Sequence, residues 1–283
     1  MPAAHLDNYL LSLAISAPFV YGIGLFRTVF GYFNFALGGY FSFALYATYL
    51  FGQGKAPGGI TLILGIVAIS LALHYFLFQP MRRSGASPDR LLIVGLGIYI
   101  IFEQFLSIGF GDRIRFGVSS GSMMELVGIS IPPDVLLIAG ASAIVAMFLL
   151  LMRFSETGEA IRALAENESL TRIVGISVPK TGLIVLLCST ALVVAGGILA
   201  SMEIGAYPTA GFQPVVLAFA VSLLGGSVFG ARYFFVLIGL VAVEYFTRAF
   251  IAAHWSATVT YGFVLIGLLI ANLRANRFAR SHP

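Results

Sequence analysis

The run Leu183-Ile-Val-Leu-Leu-Cys-Ser-Thr-Ala-Leu-Val-Val-Ala-Gly-Gly-Ile-Leu-Ala-Ser-Met202 carries no charged side chain. As a helix rising 1.5 Å per residue, it extends about 30 Å, the thickness of a bilayer's hydrocarbon core. Working outward from it, comparable apolar segments lie at about 8–30, 34–52, 59–79, 91–110, 132–152, 181–203, 212–226, 230–250 and 255–272. Of the 283 residues, 59% are hydrophobic and 10% charged, with a mean hydropathy of +0.98. A soluble domain carries roughly 25% charged residues. The bilayer is therefore the solvent. The expected fold is all-α, a polytopic transmembrane bundle of eight or nine membrane segments in one domain over 1–283. The segment at 212–226 is short, and the first two are separated only by Gly31, Tyr32 and Phe33, so at least one broken or re-entrant helix is expected. The first apolar run begins near Leu6 without a preceding Lys or Arg and is too long for a cleaved signal peptide.

Positive residues set the orientation, because cytoplasmic loops retain Lys and Arg. With the C-terminus inside, only Lys55, Arg113, Arg115 and Arg248 fall outside, and the other twelve of the sixteen fall inside. The expected topology is N-terminus out, C-terminus in. Two hydrophilic stretches exceed a turn: an outer one at 111–132 and an inner one at about 153–180.

Several functions are disfavoured by what the residues lack. The only Gly-Lys pair, Gly54-Lys55, is followed by Ala56 and preceded by Tyr49 where a phosphate-cradling loop needs its first glycine. No hydrolysis of nucleotide by this chain is expected. Gly22/Gly24 and Gly95/Gly97 lack the third glycine of a dinucleotide fingerprint. The histidines His5, His74, His254 and His282 stand far apart, without metal-ligand spacing. The lone Cys188 lies in an apolar run and reads as a small core residue. The basic residues sit in short loops, with no patch suited to nucleic acid.

Intramembrane carboxylates are expensive, which makes Glu103, beside Gln104, and Glu244 functional candidates; a hydrogen bond to a neighbouring helix would account for either equally. Glycine occupies 32 positions, above the usual share of about 7%. The doublets Gly38-Gly39, Gly196-Gly197 and Gly225-Gly226 read either as close helix packing or as helix breaks beside a solute path. Asn34 and Phe35, at the interruption between the first two apolar runs, join Gly38 and Gly39 as candidates to border that path.

The inner stretch Thr157-Gly-Glu-Ala-Ile-Arg-Ala-Leu-Ala-Glu-Asn-Glu-Ser-Leu-Thr-Arg-Ile-Val-Gly175 is too polar to cross a membrane. It reads as one or two amphipathic helices, with Thr157 or Asn167 as N-cap and Gly175 as the C-terminal stop. Glutamates mixed among its arginines suit a protein partner better than anionic lipid.

Three segments together resemble the permeases of the branched-chain amino acid type ABC importers. They are Gly31-Tyr-Phe-Asn-Phe-Ala-Leu-Gly38, the inner stretch from Gly158 to Gly175 with Arg162-Ala163 and Gly175-Ile176, and Pro214-Val-Val-Leu-Ala-Phe-Ala-Val-Ser-Leu-Leu-Gly-Gly-Ser-Val-Phe-Gly-Ala231. The length is similar to the shorter permease of the usual pair. The resemblance implies a transport subunit, not an enzyme, in a bacterial or archaeal inner membrane. It implies a second permease, two ATP-binding subunits and an extracytoplasmic solute-binding protein as partners, within membrane lipid. This chain would bind no cofactor, and ATP and Mg would sit on the partner ATPases. Gly158, Ile161, Arg162, Ala163, Leu170, Gly175 and Ile176 would form the coupling element. Many relatives have a histidine and then an acidic residue around the glycine after Asn-Phe-Ala, where this chain has Leu37 and Gly39. The expected cargo is therefore amino acids or similarly small polar solutes, with urea, short amides and other carboxylates left open. The competing reading is an ion-coupled secondary transporter or channel.

Overall fold

A computed structural model describes residues 2–117, 124–126, 129–131, 133–250, 258, 259 and 262. The helices are α1 (Pro2–Phe30), α2 (Ala36–Gly52), α3 (Ala56–Leu73), α4 (Gln79–Arg83), α5 (Pro88–Phe110), α6 (Pro133–Phe154), α7 (Glu156–Glu166), α8 (Glu168–Ile173), α9 (Val178–Ile204), α10 (Phe212–Gly225) and α11 (Ala231–Phe250). A π-helical turn, His74–Phe78, joins α3 to α4 into one span, Ala56–Arg83. A short antiparallel hairpin, β1 (Met124–Leu126) with β2 (Ile129–Ile131), lies within the stretch read as a plain outer loop.

The protein is an all-α polytopic bundle. Seven described helical spans, counting the turn at Pro208–Gly211 together with α10, are long and apolar enough to cross a membrane. α2, with 17 residues, is shorter than these, and the expected segment at 255–272 lies outside the described residues. Several helices overrun their apolar segments by about a turn. α5 begins at Pro88 instead of 91, and α9 at Val178 instead of 181, because Asp89, Arg90 and Lys180 reach the polar interface without unwinding the helix that carries them.

α1 and α9 pack along each other most extensively, and α2 and α10 lie against them. In α1's most apolar window 67% of residues are buried, against 17% in that of the α3–α4 span and 28% in α6 and α11. Helices α1, α2, α9 and α10 are thus the core, and α3, α5, α6 and α11 are the rim. The rim turns Leu64, Ile93, Ile101, Phe105, Ile108 and Phe235 outward, where hydrocarbon replaces water and exposed apolar surface carries no penalty. Without a hydrophobic drive between helices, close packing and polar contacts hold the core. Tyr233 Oη donates to the Val20 carbonyl at 2.8 Å, Ser70 and Thr190 share a hydroxyl pair at 2.9 Å, and Arg27 donates to the Ser222 carbonyl at 2.6 Å.

Candidate functional site

The chain between α1 and α2 is the first of two breaks in the core. α1 stops at Gly31, whose φ of +76° suits glycine and whose N–H still reaches the Arg27 carbonyl at 2.9 Å. Tyr32, Phe33 and Asn34 then run non-helical yet buried. A buried, non-helical backbone must find partners. Asn34 Oδ1 supplies one by accepting the Ala36 N–H at 3.0 Å, which starts α2. A Cβ on Gly95 would lie 3.0 Å from that same oxygen, so α5 presses against the break with bare backbone. Phe35 is half-buried and stands in a cluster with Phe33 and Phe219.

The second break follows α9. Gly205 has a φ of +71°, and its N–H reaches the Ser201 carbonyl at 3.2 Å. Ala206 then exchanges two backbone hydrogen bonds with Arg115, at 2.8 and 2.9 Å. A 3₁₀ turn, Pro208–Gly211, leads into the 14-residue α10. Gly211 N–H donates to Ser42 Oγ at 3.0 Å, and Tyr99 Oη donates to the Thr209 carbonyl at 3.3 Å. The two breaks meet here. A Cβ on Gly211 would fall 2.0 Å from the Gly38 carbonyl oxygen, and one on Gly38 would fall 2.3 Å from Val215 Cγ2.

The remaining candidates for the path are distributed through the core. A Cβ on Gly39 would meet Phe102 at 2.3 Å. Gly196 lies against the Phe19 backbone, Gly197 against Phe41 and Ala44, and Gly225 against Tyr233, so these three sit at tight helix contacts. Gly226, at φ +77° with open space around it, ends α10. Glu103 is half-buried, whereas its neighbour Gln104 is exposed on the rim. Glu244 accepts a hydrogen bond from Gln213 Nε2 at 2.6 Å and pairs with Arg248, one turn along α11.

At the end of the bundle near Phe30, α7 and α8 form a bent pair. Ser155, not Thr157, caps α7, its Oγ accepting the Gly158 N–H at 2.9 Å; Thr157 lies inside the first turn. Ile161 and Leu164 are buried, and a Cβ on Gly158 would lie 2.4 Å from the Met152 carbonyl oxygen, so α7 is held tightly on the end of α6. Arg162 donates to the same Met152 carbonyl. Ala163 and Ile176 are half-buried. Asn167 Oδ1 caps α8 by accepting from Ser169 N at 2.9 Å and Leu170 N at 3.1 Å. Gly175, at φ +88°, stops it. Between cap and stop, Leu170, Ile173 and Val174 are 59%, 80% and 77% exposed, an apolar tip on an otherwise polar element.

Ile173 and Val174 were missed as site residues in the sequence because periodicity alone assigns their apolar character to the inward face. A second missed residue is Arg82. It lies 3.8 Å from Glu168 of α8, and its guanidinium stands over the rings of Phe30, at 5.5 Å, and Tyr32, at 6.0 Å. α8 is thereby linked to the first break through one side chain.

A family model described as branched-chain amino acid transport system / permease component matches residues 6–273. The high-affinity branched-chain amino acid transport system permease protein LivH of Escherichia coli is 26% identical over 91% of this chain and 88% of its own length. A probable branched-chain amino acid transport permease protein LivH of Methanocaldococcus jannaschii is 29% identical over 72% of this chain and 65% of its own. The match spans both breaks and the α7–α8 pair, and the chain belongs to the family of permease components of branched-chain amino acid transport systems.

Proposed function

We propose that this membrane permease moves amino acids or similarly small polar solutes inward, driven by ATP hydrolysis on partner subunits that engage the tip of α8. The partners are two ATP-binding subunits, which carry ATP and Mg, a second permease and an extracytoplasmic solute-binding protein. The membrane is the bacterial or archaeal inner membrane, with the N-terminus outside and α7–α8 inside. The preponderance of Lys and Arg on that side supports the orientation. The relatives' names, which specify branched-chain amino acids, support the cargo class.

The observation that carries the reading is the exposed Leu170–Ile173–Val174 tip, rigidly framed by the Asn167 cap and the Gly175 stop. A helix-borne apolar tip fits a groove on a soluble partner. Force applied there passes through Glu168 to Arg82 and on to Tyr32 in the first break. The first break opens toward the inner side and the second toward the outer, and they share the Gly38–Gly211 contact. Loosening one while closing the other gives alternating access, as broken helices at a repeat interface do in other transporters. Asn34, Phe35, Gly38 and Gly39 border the path, with Glu103 and Gln104 on α5, Gly196, Gly197 and Gly225 at the helix contacts around it, and Gly226 at the end of α10.

The test is Ile173→Asp in the complete importer reconstituted in liposomes. Assembly and solute binding to the binding protein are expected to be unchanged, while uptake falls about tenfold or more and ATPase activity loses its response to the loaded binding protein. Normal uptake in the variant, or ion-driven uptake by this chain alone, overturns the reading.

A further inference from the structure

On the permease reading, which places α7–α8 on the inner side, one cavity at that end of the bundle is unused. It measures about 290 Å³ and lies between the end of α1, the π-helical turn with α4, the α7–α8 pair and the start of α9. Small-molecule pockets begin at roughly 300 Å³.

Three guanidiniums meet there: Arg82 and Arg83 from α4, and Arg172 from α8. Among the described lining residues Glu168 is the single carboxylate, so three positive charges face one negative and two remain in excess. Glu168 is itself shared, 2.6 Å from Arg172 and 3.8 Å from Arg82. Arg83 is exposed and has no hydrogen bond or ion pair among the described residues. Each guanidinium presents five donors in a planar fork, and Glu168 occupies only a fraction of them.

The buried wall of the cavity is His74, from the π-helical turn. It is 6% exposed, and its Nδ1 has no hydrogen-bond partner among the described residues. Buried polar atoms are normally paired, and π-helical turns recur at functional sites. Apolar surface begins at the cavity's edge. Tyr75, in its wall, is 41% exposed, and Ile184 and Leu187, just along α9 from the lining Gly182, are 37% exposed each. In the sequence α8 looked unsuited to lipid because its own Glu168 and Arg172 cancel; the surplus charge comes from α4, which the fold brings beside it.

We propose that this cavity binds the phosphate of an anionic phospholipid from the inner leaflet, whose acyl chains lie over Tyr75, Ile184 and Leu187. The phosphodiester offsets part of the surplus charge, and guanidinium forks match its oxygens two at a time. Basic pockets between membrane helices on the cytoplasmic side take such headgroups. The anion adds a link between α4 and α8, which Arg82 and Glu168 already bridge. A zwitterionic headgroup brings its own cation against the arginines, and free phosphate gains nothing from the apolar edge.

The experiment uses the complete importer in neutral detergent, with Tyr75→Cys in a Cys188→Ala background, and follows labelling of this chain by a neutral maleimide. Dioctanoyl-phosphatidylglycerol is expected to slow the labelling, while dioctanoyl-phosphatidylcholine or inorganic phosphate at the same concentration leaves it unchanged. Judged by the concentration giving half protection, Arg83→Gln and Arg172→Gln should each weaken binding about fivefold. Arg83→Lys should restore most of the loss, and Glu168→Gln, which removes the competing carboxylate, should tighten binding. With Tyr75 intact, phosphatidylglycerol should raise the thermal midpoint of the complex, and should raise it less in Arg83→Gln. Equal protection by phosphatidylcholine, protection by inorganic phosphate, no labelling of Tyr75→Cys, or half protection unchanged in both Gln variants overturns the site. Loss of the ATPase subunits from the Arg83→Gln complex, with no protection by phosphatidylglycerol in its parent, assigns the arginines to a protein partner and overturns it equally. None of these outcomes involves transport, so the permease reading stands or falls separately, on uptake in Ile173→Asp.

Discussion

The two breaks in the core are built alike and tied down differently. Each follows a long helix, α1 or α9, that ends at a glycine with φ above +70° whose N–H bonds four residues back. Each leads through buried non-helical chain into a shorter helix. Because α1 and α9 run in opposite directions, the breaks lie toward opposite ends of the bundle. The first is tied by a side chain, Asn34, whose Oδ1 accepts the Ala36 N–H; it is wrapped in aromatic rings and connected to α8 through Arg82. The second is capped by a 3₁₀ turn, pinned by Ser42, and connected to the chain after α5 through Arg115 and Ala206. The same device is thus joined to the α7–α8 pair at one end and to the chain after α5 at the other, the arrangement on which the proposed two-gate transport rests.

Their shared point is the place to break the comparison most severely. Gly211→Val would drive Cβ into the Gly38 carbonyl, an atom of the main chain that cannot rotate away. The expected result is a loss of about 3 kcal/mol or more, seen as a large drop in the thermal midpoint of the purified complex. Unchanged stability would mean that the breaks do not touch.

Smaller changes sharpen the contrast between the caps. Asn34→Ala removes the acceptor for the Ala36 N–H and should lower stability by about 1 kcal/mol, with a further loss of transport on the proposal that the first break borders the path. Denaturation midpoints and uptake rates measured on the same preparation separate the two effects. Ser42→Ala should cost a similar amount, about 0.5–1.5 kcal/mol, and its lowering of the denaturation midpoint should be the same with the ATPase nucleotide-free or in a hydrolysis-deficient form loaded with ATP, because its break lies away from α8. Equal sensitivity of both variants to the nucleotide state would erase the distinction drawn here.

Much of this was legible in the sequence. Hydrophobic length located eight of the described helices, because in a bilayer every spanning backbone must satisfy itself internally and apolar runs therefore map directly onto helices. The interruption at Gly31–Phe33 and the shortness of 212–226 marked both breaks. Asn167 and Gly175 were readable because caps and positive-φ stops are local. Long-range contacts were not readable. Nothing in the sequence near Gly211 states that it meets Gly38, and Thr157 was read as the cap in place of Ser155 because both are hydroxyl residues at the start of the same helix. Glu244, which read either as a transport group or as a structural one, is partnered by Gln213 and Arg248. The hairpin at 124–131 escaped notice because its strands are only three residues each, too short for alternation to register.

Thiol accessibility at the two breaks tests the central claim most directly. In a Cys188→Ala background, Phe35→Cys reports the first break and Ala210→Cys the second, each measured in the assembled importer with and without a non-hydrolysable ATP analogue bound to the ATPase subunits. The account predicts opposite changes, with one site gaining and the other losing reactivity when nucleotide binds, and no change at Phe35→Cys when Ile173→Asp is added. Parallel changes at both sites, or a nucleotide response that survives Ile173→Asp, would contradict it.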